Sequence, residues 1–240
     1  SLMKPDLMVL DIIATTNWKR PVCFAISSSQ DNFLGLSDYM QQYGLIYRLT
    51  PVKREDKDKD GLPGSVRTDI MYDNIMHKFQ WGGVDKYDVY LDENILRMVT
   101  NLRSNFARLS SKLIEEGDTA KAIEVLDYSM KALPEKNIPL TSSVLPIANS
   151  YLKAGASDKA KAIAEKLFNI YYKNILYFTS LSDHLQGFYQ RDINEAIVVF
   201  YQIQAMSQTA KWDDLEKKVG PAFNQFKDLY DNGKENDSED

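Results

Sequence analysis

The sequence predicts an α+β protein, mostly α, in which a small N-terminal α/β unit precedes a stack of antiparallel helix pairs. Three observations predict it. Val22-Cys23-Phe24-Ala25-Ile26 is a continuous β-favouring run, bounded by Pro21 and by Ser27-Ser28-Ser29. From Ile95, the residues Val99, Leu102, Phe106, Leu109 and Leu113 follow at steps of four and three, one apolar seam on a helix face. Past Gly117-Asp118 a second seam, Ala122, Val125, Leu126, Ser129, Met130 and Leu133, is spaced to cover the first, and thirty-eight residues further on Gly155 and Ala160 repeat Gly117 and Ala122. The expected division is residues 1–90 as the α/β unit, 91–233 as the helical repeat domain and 234–240 as an acidic, mobile tail.

In chain order, Pro5 to Thr16 reads as a short helix with Leu7, Leu10 and Ile13 on one face, ended by Asn17. The run 22–26 reads as an inner strand, with Cys23 packed in it as a small hydrophobe. Leu36 to Tyr43 reads as a brief helix closed by Gly44. Leu45 to Val52 alternates, Leu45, Tyr47 and Leu49 opposite Ile46, Arg48 and Thr50, as a second strand does. An intervening helix favours parallel pairing of the two. Residues 53–65 are charged and rich in Gly and Pro, a surface loop. Thr68 is placed to cap a helix whose face is Tyr72, Ile75, Met76 and Phe79, broken at Trp81-Gly82-Gly83. Asp92 is placed to cap the long helix, with Leu91 and Leu96 as a staple across its first turn. Leu145, Ala148, Tyr151, Leu152, Ala164 and Leu167 carry the second pair. Pro146 is harmless in its first turn. Ile193 to Ala210, with Ala196, Phe200 and Ile203 as a face, belongs to a third, degenerate pair in which Arg191 replaces the turn glycine. Trp212 to Val219 and Pro221 to Tyr230 read as capping helices.

Composition limits the function. The chain has 240 residues, 44% of them hydrophobic, enough to bury a substantial core. A net charge of −5 supplies no basic field for nucleic acid, so none is expected as a partner. A single cysteine excludes an intramolecular disulfide and a cysteine-rich metal cluster. No run reaches the roughly 18 apolar residues that cross a bilayer, and no charged-then-apolar leader opens the chain. Ser1-Leu2-Met3 reads in part as a cloning remnant, so the chain is expected to be a piece of a longer protein.

Each constellation that could carry chemistry has a plainer reading. Asp56-x-Asp58-x-Asp60-Gly61 opens like a calcium loop, but its twelfth position is Arg67 where a bidentate Glu is needed, and Arg54, Lys57 and Lys59 intervene. It reads as a solvated loop, and no metal or cofactor is expected. His77 and His184, the two histidines, fall in different regions, so an acid–base or metal site would need a chance convergence. Ser27 to Ser29 follow a strand without the G-x-S-x-G elbow. Trp18, Trp81, Tyr171, Tyr172 and Tyr177 could stack on sugar rings or line a groove, and aromatic residues dominate ordinary burial as well.

Phe106, Leu109, Leu113, Gly117, Ala122, Leu126 and Pro134 resemble the tetratricopeptide family at its aromatic, apolar, glycine, alanine, large-apolar and proline positions. The family repeat is about 34 residues; the longer spacing here fits in the connection Pro134 to Pro139, outside both helices. The resemblance implies a concave surface that holds a peptide or protein, and its register puts Arg108, Ser111, Glu115, Asn149 and Lys153 on that surface as the expected partner contacts. A wider set, Asn17-Trp18-Lys19-Arg20-Pro21 with Phe24-Ala25, Gly44-Leu45-Ile46-Tyr47-Arg48-Leu49, Asn74-x-Met76-x-Lys78-Phe79-x-Trp81-Gly82, Tyr90-Leu91-Asp92-Glu93 and the Gly117-Asp118 repeat, is similar to the soluble C-terminal region of a family of large bacterial polytopic membrane proteins of unassigned function. Their membrane halves resemble protein O-mannosyltransferase-type glycosyltransferases of the GT-C architecture. The resemblance implies an inner-membrane protein with this domain on the periplasmic side, its own membrane-spanning half as a partner, and a protein or glycan acceptor to be bound or positioned. It carries no catalytic residue onto this chain, because the acidic residues of that architecture lie in the membrane half. The alternative is an independent soluble enzyme with a site around Ser27 to Asp31 and Trp81.

Overall fold

The computed structural model describes residues 3–53 and 61–236. The fold is α+β and mostly helical, a small sheet near the N-terminus followed by helices. By its internal contacts the chain divides into two units: Ser1–Tyr87 with Arg108–Ala132, and Asp88–Ala107 with Leu133–Asp240.

The first unit opens with helix α1 (Lys4–Thr16), stopped where Asn17 turns left-handed at φ 43° and its N–H bonds back to the Ile13 carbonyl at 3.2 Å. Ile13 packs on the sheet core, while Leu7 and Leu10 stay exposed. Among the described residues four short strands, β1 (Cys23–Ala25), β2 (Met40–Gln42), β3 (Ile46–Leu49) and β4 (Ser65–Val66), form one sheet in the order β1-β3-β2-β4. The run 22–26 therefore supplies an edge strand, not an inner one, and Cys23 is exposed rather than packed. Desolvation still raises its thiol pKa, against the opposing charge of Arg48. The expected parallel pairing does not form either. Residues 36–43 yield a single 3₁₀ turn, Leu36–Tyr39, and then β2, which leaves no helix long enough for a crossover, so β3 lies antiparallel to both β1 and β2. The one parallel pairing is β2 with β4, entered through the loop that follows β3.

β3 alternates as its sequence predicts, with Tyr47 and Leu49 buried and Ile46 and Arg48 exposed. Beneath it Val22, Phe33, Met40, Tyr47 and Leu49 form the core of the sheet, and Phe33 meets Phe24 and Tyr47 edge-on at 5.1 and 5.9 Å. Two glycines are required by their surroundings. Gly44, at φ 121°, turns β2 into β3 where a Cβ would stand 2.7 Å from the Phe79 ring. Gly64, at φ 68°, leaves no space for a Cβ, which would fall 2.6 Å from the Met40 carbonyl oxygen.

Helix α2 (Thr68–Asp73) runs into a π-helical turn, Asn74–Lys78, and buries Met71 and Ile75. Arg67, not Thr68, is its N-cap residue; the Thr68 hydroxyl bonds Glu116 instead. The longer helices are α3 (Glu93–Asn101), α4 (Arg103–Glu115), α5 (Thr119–Ala132), α6 (Leu145–Lys153), α7 (Ser157–Thr179), a short α8 (Asp183–Phe188), α9 (Gln190–Ala210) and α10 (Asp213–Asn236). Asp92 caps α3 as expected, its carboxylate accepting from the Ile95 N–H at 2.9 Å. The apolar seam predicted along one long helix is broken at Leu102 and is buried only from Phe106 onward; Ile95 is exposed. Leu109, Leu113, Ala122, Val125 and Leu126 are buried in the first helix pair, where the Ser110 hydroxyl reaches the Ala122 carbonyl of the facing helix.

Three of the described helix-to-helix turns close in one pattern. Gly117 bonds the Ile114 carbonyl and Asp118 that of Leu113; Gly155 bonds Leu152 and Ala156 bonds Tyr151; Lys211 bonds Gln208 and Trp212 bonds Ser207. Each turn residue is left-handed, both glycines at φ 86° and Lys211 at φ 58°. The glycine of the third turn is thus replaced by Lys211, not by Arg191, and α9 pairs with the helix after it. That helix is single: α10 runs from Asp213 to Asn236 through Pro221, so the two expected capping helices are one and helix continues past Gly233.

In the second unit Ala160, Ala164, Leu167, Ala196, Phe200 and Ile203 are buried along α7 and α9. The Tyr171 hydroxyl accepts from the Ser142 N–H at 2.9 Å and donates to Glu195 at 2.7 Å, and burial followed by that carboxylate holds its phenol well above the usual tyrosine range. Trp212 donates to Ser157 at 3.0 Å and Lys161 pairs with Asp214 at 2.7 Å, fastening α7 to the start of α10.

Leu126→Ala, at a site of zero exposure, is expected to cost about 2 to 5 kcal/mol in chemical denaturation. Gly64→Ala is expected to cost about 2 kcal/mol or more from φ and contact together, whereas Gly117→Ala, where a Cβ meets nothing within 4 Å, is expected to cost less.

Candidate functional site

Five polar residues on α4 and α6 are the expected partner surface; Arg108, Ser111 and Glu115 belong to the first unit, Asn149 and Lys153 to the second. Arg108 is buried. Its guanidinium donates to Gln42 Oε1 at 2.6 Å, to the Pro63 carbonyl at 3.1 Å and to the Gly64 carbonyl at 3.0 Å, so it joins α4 to β2 and to the approach of β4. It serves the inside of the fold rather than a surface. Ser111 is half-buried; Glu115 is exposed and pairs with Lys112 at 3.2 Å. Asn149 and Lys153 are exposed on α6.

A second arginine, Arg103, has no counterpart in the sequence reading. With 1% of its surface exposed, it donates to the carbonyls of Ile138 at 2.7 Å, Pro139 at 2.8 Å and Leu133 at 3.4 Å. Desolvation pushes its pKa down to about 10, against the attraction of Glu135, and the group stays charged at neutral pH. Three carbonyls with no other donor among the described residues are thereby satisfied in the connection between helix pairs. The signal for both arginines is positional: each stands beside an apolar seam, where a charge is rare unless it is bonded.

Within the second unit, Asn149 opens onto a groove of about 390 Å³ between α6 and α9. Leu145 and Leu152 form its wall on α6; Tyr201, Gln202 and Met206 form its wall on α9. Tyr201 is 60% exposed, its ring tilted over Phe223 at 5.9 Å. The Asn149 and Gln202 amides have no hydrogen-bond partner among the described residues, which leaves a donor and an acceptor on each side of a trough that is largely apolar, with Thr209 also in its lining. The α9 residues escape the sequence reading because Ala196, Phe200 and Ile203 account for the buried face of that helix. The stripe one position on, Tyr201-x-x-x-Ala205 with Gln202 and Met206, is the mark of a second face.

Other candidate chemistry is not assembled. Ser29 Oγ donates to Asp31 at 3.2 Å and accepts the Asp31 N–H, a cap on the short 3₁₀ turn that follows. Trp81 donates to the Tyr128 hydroxyl at 2.9 Å. The Tyr72 phenol donates to Glu124 at 2.6 Å and is pushed up to about 12, that hydrogen bond first and desolvation second. His77 lies edge-on to Tyr72 and His184 to Phe188, in different units. Among the described residues no cluster of three His, Cys, Asp or Glu could hold a metal. The calcium-like Asp56, Asp58 and Asp60 lie outside the described residues.

A family model described as TMEM260-associated domain 2 matches residues 1–70, the segment that holds α1 and the whole sheet. By that description the matched segment is similar to a domain associated with a membrane protein. No curated protein and no solved structure matches the chain. No helix among the described residues is long and apolar enough to cross a membrane.

Arg108→Ala is expected to cost about 3 kcal/mol or more in chemical denaturation, because two buried acceptors and one part-buried one lose this donor together. Lys153→Ala, on an exposed helix face, is expected to change stability by less than about 0.5 kcal/mol.

Proposed function

We propose that this chain is a non-catalytic, extracytoplasmic accessory domain of a membrane glycosyltransferase-like protein, and that it holds an extended acceptor polypeptide in the groove between α6 and α9. The carrying observation is that groove, a largely apolar trough edged by two amides, Asn149 and Gln202, that have no hydrogen-bond partner among the described residues. A peptide in extended form offers main-chain N–H and C=O groups to side-chain amides on both sides while its side chains meet Leu145, Leu152 and Met206. The recurring turns at Gly117, Gly155 and Lys211 support a tetratricopeptide-like stack, in which the first helices of successive pairs line the binding side. The family-model match over residues 1–70 supports the link to a membrane protein. In this reading the domain is joined covalently to its membrane-spanning half and needs no basic patch to reach the bilayer, which agrees with its net charge of −5.

Peptides selected on the immobilised chain from a random display library test the groove. Tyr201→Ala, and Asn149→Ala combined with Gln202→Ala, are each expected to weaken the selected peptides about tenfold or more. Peptides that bind all of these variants as well as the parent chain would remove the groove from consideration.

Location has a separate test in cells producing the full-length protein. A Cys23→Ser variant with one cysteine at exposed Lys153 is expected to react with an impermeant thiol reagent once the outer envelope alone is permeable. Labelling that waits for the inner membrane to break would put the domain in the cytoplasm.

A further inference from the structure

At the sheet of the first unit, a second hollow of about 310 Å³ is lined by Trp18, Arg20, Pro21, Tyr43, Arg48 and Pro51, among others. Its composition differs from that of the groove: two aromatic rings, two prolines and two guanidinium groups. Trp18 is held at the rim by two consecutive left-handed residues, Asn17 at φ 43° and Trp18 at φ 60°, closed by the Lys19 N–H on the Thr16 carbonyl at 2.9 Å. Its indole is 45% exposed and its ring N–H has no partner among the described residues. The other two tryptophans differ in this respect, since Trp81 bonds Tyr128 and Trp212 bonds Ser157. Arg48 lies on the exposed side of β3 with its guanidinium carbon 5.6 Å from the centre of the Tyr43 ring. Neither Arg48 nor Arg20 meets a carboxylate among the described residues, so two cations bound one hollow in a protein whose net charge is negative.

We infer that this hollow is a binding site for an acidic saccharide, a sugar ring that carries a phosphate or a carboxylate. The two guanidinium groups supply forked donors that match either anion. The Trp18 indole supplies a flat apolar face for the ring together with an N–H donor for a hydroxyl. Tyr43, held by Arg48 above it and by its own hydroxyl on Gln41 at 3.2 Å, keeps the Arg48 fork in place before ligand arrives. A neutral sugar would leave both cations without an anion, and a free inorganic anion would leave the indole bare, so the combination selects for the two features in one molecule. The hollow lies wholly within residues 1–70, the segment matched by the family model, and does not depend on the groove reading.

The test follows the indole N–H resonances of the 240-residue chain by heteronuclear NMR, with the Trp18 signal assigned from a Trp18→Phe variant. Glucose 1-phosphate and glucuronic acid are the probes, with glucose and inorganic phosphate as partial ligands. Saturable movement of the Trp18 resonance by at least one acidic sugar, at about tenfold lower concentration than either partial ligand requires, with Trp212 unmoved, is the expected result. The tighter of the two acidic sugars identifies the anion. Arg20→Gln, at an exposed side chain with no bond to lose among the described residues, is expected to weaken that binding about tenfold. The inference is overturned if neither acidic sugar moves Trp18, if glucose or phosphate alone binds equally well, or if Arg20→Gln leaves the affinity unchanged. Loss of peptide capture at Tyr201 bears only on the groove, so the two readings fail independently.

Discussion

The first unit depends on one buried cation. A guanidinium taken out of water is costly unless its donors are matched, and Arg108 matches them with a side chain of β2 and two carbonyls of the loop entering β4. Those acceptors belong to a sheet too small to be stable alone. Its strands are two to four residues long, and β4 contributes two. The arginine therefore reinforces, from outside the ladder, the relation between β2 and β4 that their two-residue parallel pairing sets. Gly64 meets the same constraint from the other side, since the carbonyl it offers to Arg108 is available because no Cβ keeps its backbone away from Met40.

Periodicity made the helices legible before any coordinates. The paired seams, the Asp92 cap, the alternation of β3 and the equivalence of Gly117 with Gly155 follow from local rules, and local rules can be read one segment at a time. What could not be read is whatever a distant partner decides. The run 22–26 looks like an inner strand because its composition favours burial; it is an edge because β3 already has β2 on its far side. Residues 36–43 have helical spacing but give most of it up to pairing with β3. The fate of Arg108 turns on an acceptor sixty-six residues away. From sequence an arginine on a helix beside polar neighbours reads as a surface contact, and its place beside an apolar seam signals a bond without saying to what.

The two hollows were legible to different degrees for the same reason. Asn149 was identified from a helical register, and the structure places it at the groove. Its partners on α9 were hidden because that helix has two faces and only the apolar one announces itself. From sequence Trp18 reads as an aromatic residue that could stack on a sugar, yet its grouping with Arg48 requires β1 and β3 to be antiparallel, with Cys23 opposite Arg48. The sequence reading favoured parallel strands, and that choice conceals the pair.

The first unit is discontinuous, built from residues before 88 and again from residues 108 to 132. During synthesis from the N-terminus the sheet would emerge without Arg108, which arrives only after several dozen further residues have been added. Until then the carbonyls at 63 and 64 lack the guanidinium that satisfies them in the finished fold, and the edges of β1 and β4 are open to any neighbouring strand. The order of translation, not the final contacts, sets the time at which this protein is most exposed to misassembly.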